Sequence, residues 1–150
     1  MLFLMLFAGS ALLFSCSKDS GSSSTNNSSC TLNSTSIVGT YKIIAATYQE
    51  DATSAPIDDF ATWELCQKDN LLIINSNGTY VFSEGTLSCN PSDVETGTWV
   101  LNGNALVTTT SGTTISDYQT LSDFNCTTFK LTDILDPTTG ETGVLTFQRQ

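Results

Sequence analysis

Residues 70–84 read NLLIINSNGTYVFSE. Two apolar runs, rich in β-branched and aromatic side chains, flank Asn77-Gly78. Asn-Gly between such runs favours a tight hairpin, because both central positions of a type I′ turn need positive φ. The stretch is therefore expected to form antiparallel strands over Asn70–Asn75 and Thr79–Glu84. If Asn77 and Gly78 are the loop, residue numbers facing each other across it sum to 155, as those of Cys66 and Cys89 do. Facing Cα atoms of an antiparallel pair lie within disulfide range, so this register predicts a Cys66–Cys89 bridge.

Outward from this hairpin the same period-2 alternation and turn chemistry continue. Strands are expected over Ile37–Tyr48 before it, and over Glu95–Leu101 and Asn104–Thr110 after it, the last two joined around Asn102-Gly103. Thr113–Leu121, Thr127–Leu135 and Thr142–Arg149 complete eight, with Ser111-Gly112 and the Asp136–Gly140 stretch supplying turns. Short connections make sequence neighbours spatial neighbours. The fold class is all-β. Eight such strands close most economically into an antiparallel up-and-down barrel, which removes exposed edges; a two-sheet sandwich is the alternative.

The one long connection runs from Gln49 to Asp69. Asp58 is placed to cap a short helix there, with Phe60 and Trp63 three apart on one face and Leu65 near it. This helix is expected to cover one end of the barrel. Inside, an eight-stranded barrel is just wide enough to be filled by side chains or to hold one small ligand. Lys42 and Lys130 belong in water, which turns Tyr41, Ile43, Phe129 and Leu131 inward. Tyr80 shares a face with Phe82, and Leu145 with Phe147. Tyr41, Ile43, Trp63, Tyr80, Phe82, Trp99, Phe129 and Phe147 are the candidate lining of a ligand site, or else the core.

The N-terminus carries a different signal. Residues 2–14 are uncharged and nearly all apolar, a length that suits a signal peptide and is too short to span a bilayer. Leu13-Phe14-Ser15-Cys16 resembles a bacterial lipobox, with Phe14 bulkier than usual and no Lys or Arg ahead of the apolar run. Residues 1–15 are accordingly expected to be a signal peptide and Cys16 the lipidated residue. Residues 16–35, dominated by Ser, Gly, Thr and Asn, read as a disordered tether spanning roughly 25 Å, and 36–150 as one domain. Ser17-Lys18-Asp19 looks like the short acidic signals that direct some Gram-negative lipoproteins to the outer membrane. Lipidation of Cys16 also accounts for an odd cysteine count, leaving Cys30, Cys66, Cys89 and Cys126. With Cys66–Cys89 paired, Cys30–Cys126 follows by elimination.

Fifteen acidic residues stand against five basic ones, and the basic residues are scattered, which argues against nucleic acid as a partner. The chain has no histidine, so Ser-His-Asp and Cys-His catalysis is excluded, and no C-x-x-C suggests zinc. There is no G-x-S-x-G elbow and no phosphate-binding glycine loop. Asp58-Asp59 and the pair Asp133 and Asp136 read as solvated surface charges. No cofactor and no enzymatic activity are expected.

Gly39-Thr40-Tyr41, then the Cys66–Asn70 run, Asn75–Tyr80, Cys89 and Gly97-Thr98-Trp99 together resemble the lipocalin-like domains of bacterial lipoproteins, within the wider calycin group. The resemblance spans nearly all of residues 36–150, with Tyr41 where lipocalins usually place Trp, in a domain shorter than a typical lipocalin. It implies an eight-stranded barrel, a cysteine pair at 66 and 89, and binding of a small hydrophobic molecule at the barrel mouth. The functional expectation is a monomeric, lipid-anchored envelope protein of this kind. The alternative is a surface interaction module whose barrel is solid, acting through its loops on another protein.

Overall fold

The computed structural model describes residues 30–150. The expected signal peptide, Cys16 and residues 17–29 lie outside them. Nine strands form one sheet: β1 (Gly39–Gln49), β2 (Ile57–Asp58), β3 (Leu71–Ile74), β4 (Thr79–Ser83), β5 (Glu95–Asn102), β6 (Ala105–Thr110), β7 (Ser116–Ser122), β8 (Thr128–Asp136) and β9 (Glu141–Arg149). All neighbours are antiparallel, and β9 returns to pair with β1, so β1 and β3–β9 close an eight-stranded barrel as expected. The additional strand β2 pairs only with Thr47 and Tyr48 of β1.

The β3–β4 register differs by one residue from the expected one. Ile74 faces Tyr80 and Leu72 faces Phe82, so facing numbers sum to 154. Gly78 alone takes positive φ, +81°, and its amide donates to the Asn75 carbonyl at 3.2 Å. The loop is thus Ser76-Asn77-Gly78, a turn followed by a glycine bulge, rather than a two-residue type I′ turn. In the β5–β6 hairpin Asn102 faces Ala105, which makes the loop Gly103-Asn104, with φ of +63° at Gly103. There the glycine occupies the first central position, as a type II′ turn requires. β7 begins three residues later than expected, because the Thr113 amide and hydroxyl both donate to the Thr110 carbonyl and extend the preceding turn.

The expected helix is two pieces. Phe60–Thr62 forms a 3-10 turn and Leu65–Lys68 a single α-helical turn, α1, separated by extended backbone at Trp63 and Glu64. Asp58 does accept from the Ala61 amide at 3.2 Å, but Leu65 is 73% exposed and does not share the Phe60–Trp63 face.

Strand alternation sets the core, and one irregularity adjusts it. β1 shifts register against β9 between Ile43 and Ala45, which pushes Ile44 outward and lets both Ile43 and Ala46 face in. One end of the barrel is solid. Tyr41 meets Phe129 edge-on at 4.8 Å, Phe129 stacks on Phe147 at 5.1 Å, and Ile37, Ile43, Ile74 and Leu121 are buried with them. Arg149 closes this end. Its guanidinium lies 4.9 Å from the Tyr41 ring centroid and donates to the carbonyls of Ser36, Val38 and Cys126. The Cys30–Cys126 disulfide ties the incoming chain to the same end, and Leu32 packs on the core, so the barrel holds the chain from Cys30 onward. Both disulfides, the barrel closure and this core lie within residues 30–150, which therefore carry what a folding unit needs.

Candidate ligand-binding cavity

At the opposite end the strands outrun the core. There the strands surround a half-open hollow of about 590 Å³, and the Gln49–Asn70 and Glu84–Val94 connections add Trp63, Gln67, Asn70 and Asp93 to its lining. Its floor is apolar: Leu72, Leu106, Leu131 and Phe147 are all buried and all point inward by alternation. Tyr80, Phe82 and Leu145 form the adjoining wall, and Trp63 stands at the mouth. Higher up the lining becomes polar, with Gln67, Asn70, Thr108 and Gln119 joined by four carboxylates, Asp93, Glu95, Asp117 and Asp133.

Each part of the wall is held by identifiable contacts. Tyr80 faces Gly97 across β4–β5, and a Cβ at Gly97 would come 2.6 Å from the tyrosine ring; only glycine leaves the ring its place. The Tyr80 hydroxyl donates to Glu95 and lies 3.2 Å from the Thr110 hydroxyl. Burial, then the hydrogen bond to Glu95, pushes the Tyr80 phenol above its ordinary pKa, so it remains a neutral donor. Trp63 is fixed by its indole N–H, which donates to Asp59 at 2.9 Å, and by Phe60, whose ring lies 5.5 Å away.

The two covering connections are pinned to each other. Cys66 on α1 and Cys89 are disulfide-bonded, with Cα atoms 5.4 Å apart. Asp69 accepts from the Thr86 amide and hydroxyl, at 2.7 and 2.8 Å, and from the Leu87 amide at 3.0 Å. Burial opposes ionisation of Asp69, but these bonds outweigh it and hold the carboxyl below its ordinary pKa. Glu84 accepts from the amides of Cys89 and Asp93, which sets Asp93 at the rim. Asn70, 2% exposed, reaches Asp93 through its amide N–H at 3.4 Å, while its side-chain oxygen has no donor among the described residues.

The eight residues singled out in the sequence divide in two. Trp63, Tyr80, Phe82 and Phe147 line the hollow. Tyr41, Ile43, Trp99 and Phe129 belong to the closed end, where the indole N–H of Trp99 donates to the Asn75 carbonyl at 3.0 Å. Asp133, expected to be a surface charge, lines the hollow instead, because it continues the inward phase of Phe129 and Leu131 along β8. Asp117 and Gln119 continue the inward phase of Leu121 on β7 in the same way. That alternation is present in the sequence and would have found all three. Leu106 and Glu95 are legible in the same manner on β6 and β5.

Fold and site define a small antiparallel barrel, filled at one end and hollow at the other, with disulfide-pinned loops around the opening. Residues 37–131 match the family model of the lipocalin-like domain, and the chain belongs to that family. It matches no curated protein and no solved structure.

Proposed function

We propose that the protein is a non-catalytic binding protein of the cell envelope that holds a small, largely apolar molecule in the open end of its barrel. The observation that carries this reading is the 590 Å³ hollow floored by Leu72, Leu106, Leu131 and Phe147. Its volume falls within the roughly 300–1,000 Å³ typical of small-molecule sites, and a floor of buried apolar side chains favours an apolar guest. The solid opposite end and the disulfide that pins the two connections together supply a rigid frame, which lowers the ordering cost of binding. Native mass spectrometry of protein from its host, followed by organic extraction, tests the reading. A released small molecule is the expected result; consistently empty protein would contradict it.

The lipocalin-like fold and two disulfides suit an exported protein, and the lipobox-like Leu13–Cys16 stretch supports acylation at Cys16 and attachment to the outer membrane. The protein acts as a monomer there. Mass analysis of the mature N-terminal peptide should show acyl chains on Cys16, and an unmodified cysteine would refute the anchor. A second reading, docking onto another protein, draws support from Val100, Val107 and Tyr118, which are paired across the outer face of β5, β6 and β7. Val100 and Tyr118 are 56% and 69% exposed. Crosslinking in intact cells from a photoreactive residue at 118 would recover a reproducible partner if this face is used.

A further inference from the structure

Building on that reading of the hollow as a ligand site, we infer that its ligand is an amphipathic organic cation: a protonated amine carried on an apolar body. The floor takes the apolar body. Above it, Asp93, Glu95, Asp117 and Asp133 come from three strands and one loop to a single opening, and no Lys or Arg is among the lining residues. The four acids are not an accident of a generally acidic surface, since Asp133 follows Leu131 at the next inward position of β8, and Asp117 continues the inward series of Leu121 and Gln119 on β7.

Glu95 accepts from Tyr80 and Asp93 from Asn70, but the other two carboxylates are short of partners. The side-chain carboxylates of Asp117 and Asp133 make no hydrogen bond or ion pair with another described residue, and the ion pair found among the described residues, Lys130–Asp123, lies elsewhere. Four carboxylates around one opening make it electronegative, which favours a cation there. An anionic guest such as a fatty acid would be repelled.

An ammonium head suits the rim better than a quaternary one, because its N–H groups can donate charge-assisted hydrogen bonds to the Asp117 and Asp133 carboxylates. A metal ion does not fit the set, for among the described residues no three carboxylates or thiols are grouped closely enough to hold one.

The test uses residues 30–150 and three probes with one chain length and different heads: decylammonium, decanol and decanoate. Quenching of Trp63 fluorescence reports binding, with Trp63→Phe as the blank for Trp99. Decylammonium should bind about tenfold more tightly than decanol, with decanoate weakest, as expected for a charge-assisted contact in a half-enclosed site. The double variant Asp117→Asn/Asp133→Asn should bring decylammonium to the affinity of decanol and leave decanol unchanged. Asp123→Asn, outside the hollow, should alter nothing, and urea midpoints confirm that each variant folds. Equal or tighter binding of decanol or decanoate to the parent protein would overturn the inference while leaving a ligand-binding cavity intact. A preference for the ammonium that survives the double variant would overturn the assignment to these carboxylates. Failure of all three probes would overturn the binding function itself.

Discussion

A barrel solid at one end and hollow at the other should respond unequally to the same truncation at its two ends. Phe129 is 1% exposed and touches Tyr41 and Phe147 at ring-centroid distances of 4.8 and 5.1 Å. Phe129→Ala opens a void enclosed on every side and removes both aromatic contacts, so it should cost about 3–5 kcal/mol, near the upper end of that range. Phe82 already borders the hollow and is only partly buried. Phe82→Ala enlarges an existing space and should cost about 1–2 kcal/mol. With a urea m-value of about 2 kcal/mol/M, Phe129→Ala lowers the unfolding midpoint by about 2 M and Phe82→Ala by less than about 1 M. Equilibrium urea unfolding with disulfides intact, followed by far-UV circular dichroism, measures both. Equal shifts at unchanged m would refute the division of the barrel into a packed half and a hollow half.

Loss of either disulfide should also be graded by the chain it closes. Cys30–Cys126 spans 96 residues and Cys66–Cys89 spans 23, so replacing each pair by alanine should cost about 5 and about 3 kcal/mol on a chain-entropy basis, read as thermal midpoints of the two variants. Gly97→Ala drives a methyl group into the Thr109 carbonyl and the Tyr80 ring, and should destabilise by roughly 1–3 kcal/mol in the same assay, whereas Gly103→Asn meets no atoms and should cost only the backbone strain of its type II′ position, about 1–2 kcal/mol. The pH dependence has a definite sign. Asp69, Glu84 and Asp136 are held below their ordinary pKa values, Asp69 against the effect of its own burial, Glu84 chiefly by the Asp93 amide and Asp136 by the Thr138 hydroxyl. Their stabilisation is therefore present at neutral pH and lost as the pH falls below about 4. Urea midpoints taken from pH 7 to 3 should drop only in that acid window, and Asp69→Asn should flatten the drop. At the other extreme, burial raises Tyr41 and Tyr80, so stability should decline as the pH rises past about 10.

Much of the barrel was legible because alternation is a local property. Ile37–Tyr48 became Gly39–Gln49, and Thr127–Leu135 became Thr128–Asp136. Turn geometry was less so. Asn77-Gly78 meets the composition of a type I′ turn, yet only Gly78 takes positive φ, and the register moves by one. The Cys66–Cys89 pair survives this shift because neither cysteine belongs to the ladder: β3 begins at Leu71 and β4 ends at Ser83, and the bridge joins α1 to the following loop. Its prediction was right for a reason that was not. The helix failed in detail since Phe60, Trp63 and Leu65 share a face only if the helix is continuous, and extended backbone at Trp63 and Glu64 interrupts it. The site divided for a deeper reason. Whether an inward aromatic fills or lines the barrel depends on its depth along the axis, which depends on strand offsets around the whole barrel. Tyr41 and Tyr80 look alike in sequence and end on opposite sides of that division.

The most direct test of the hollow end as a ligand site is titration of residues 30–150 with N-phenyl-1-naphthylamine, an apolar dye whose emission rises on leaving water. The parent protein should show saturable, single-site binding, and Thr108→Trp, which places an indole in the hollow, should abolish it while retaining the parent urea midpoint. Undiminished binding by a folded Thr108→Trp protein, or no saturable binding by the parent, would contradict the account.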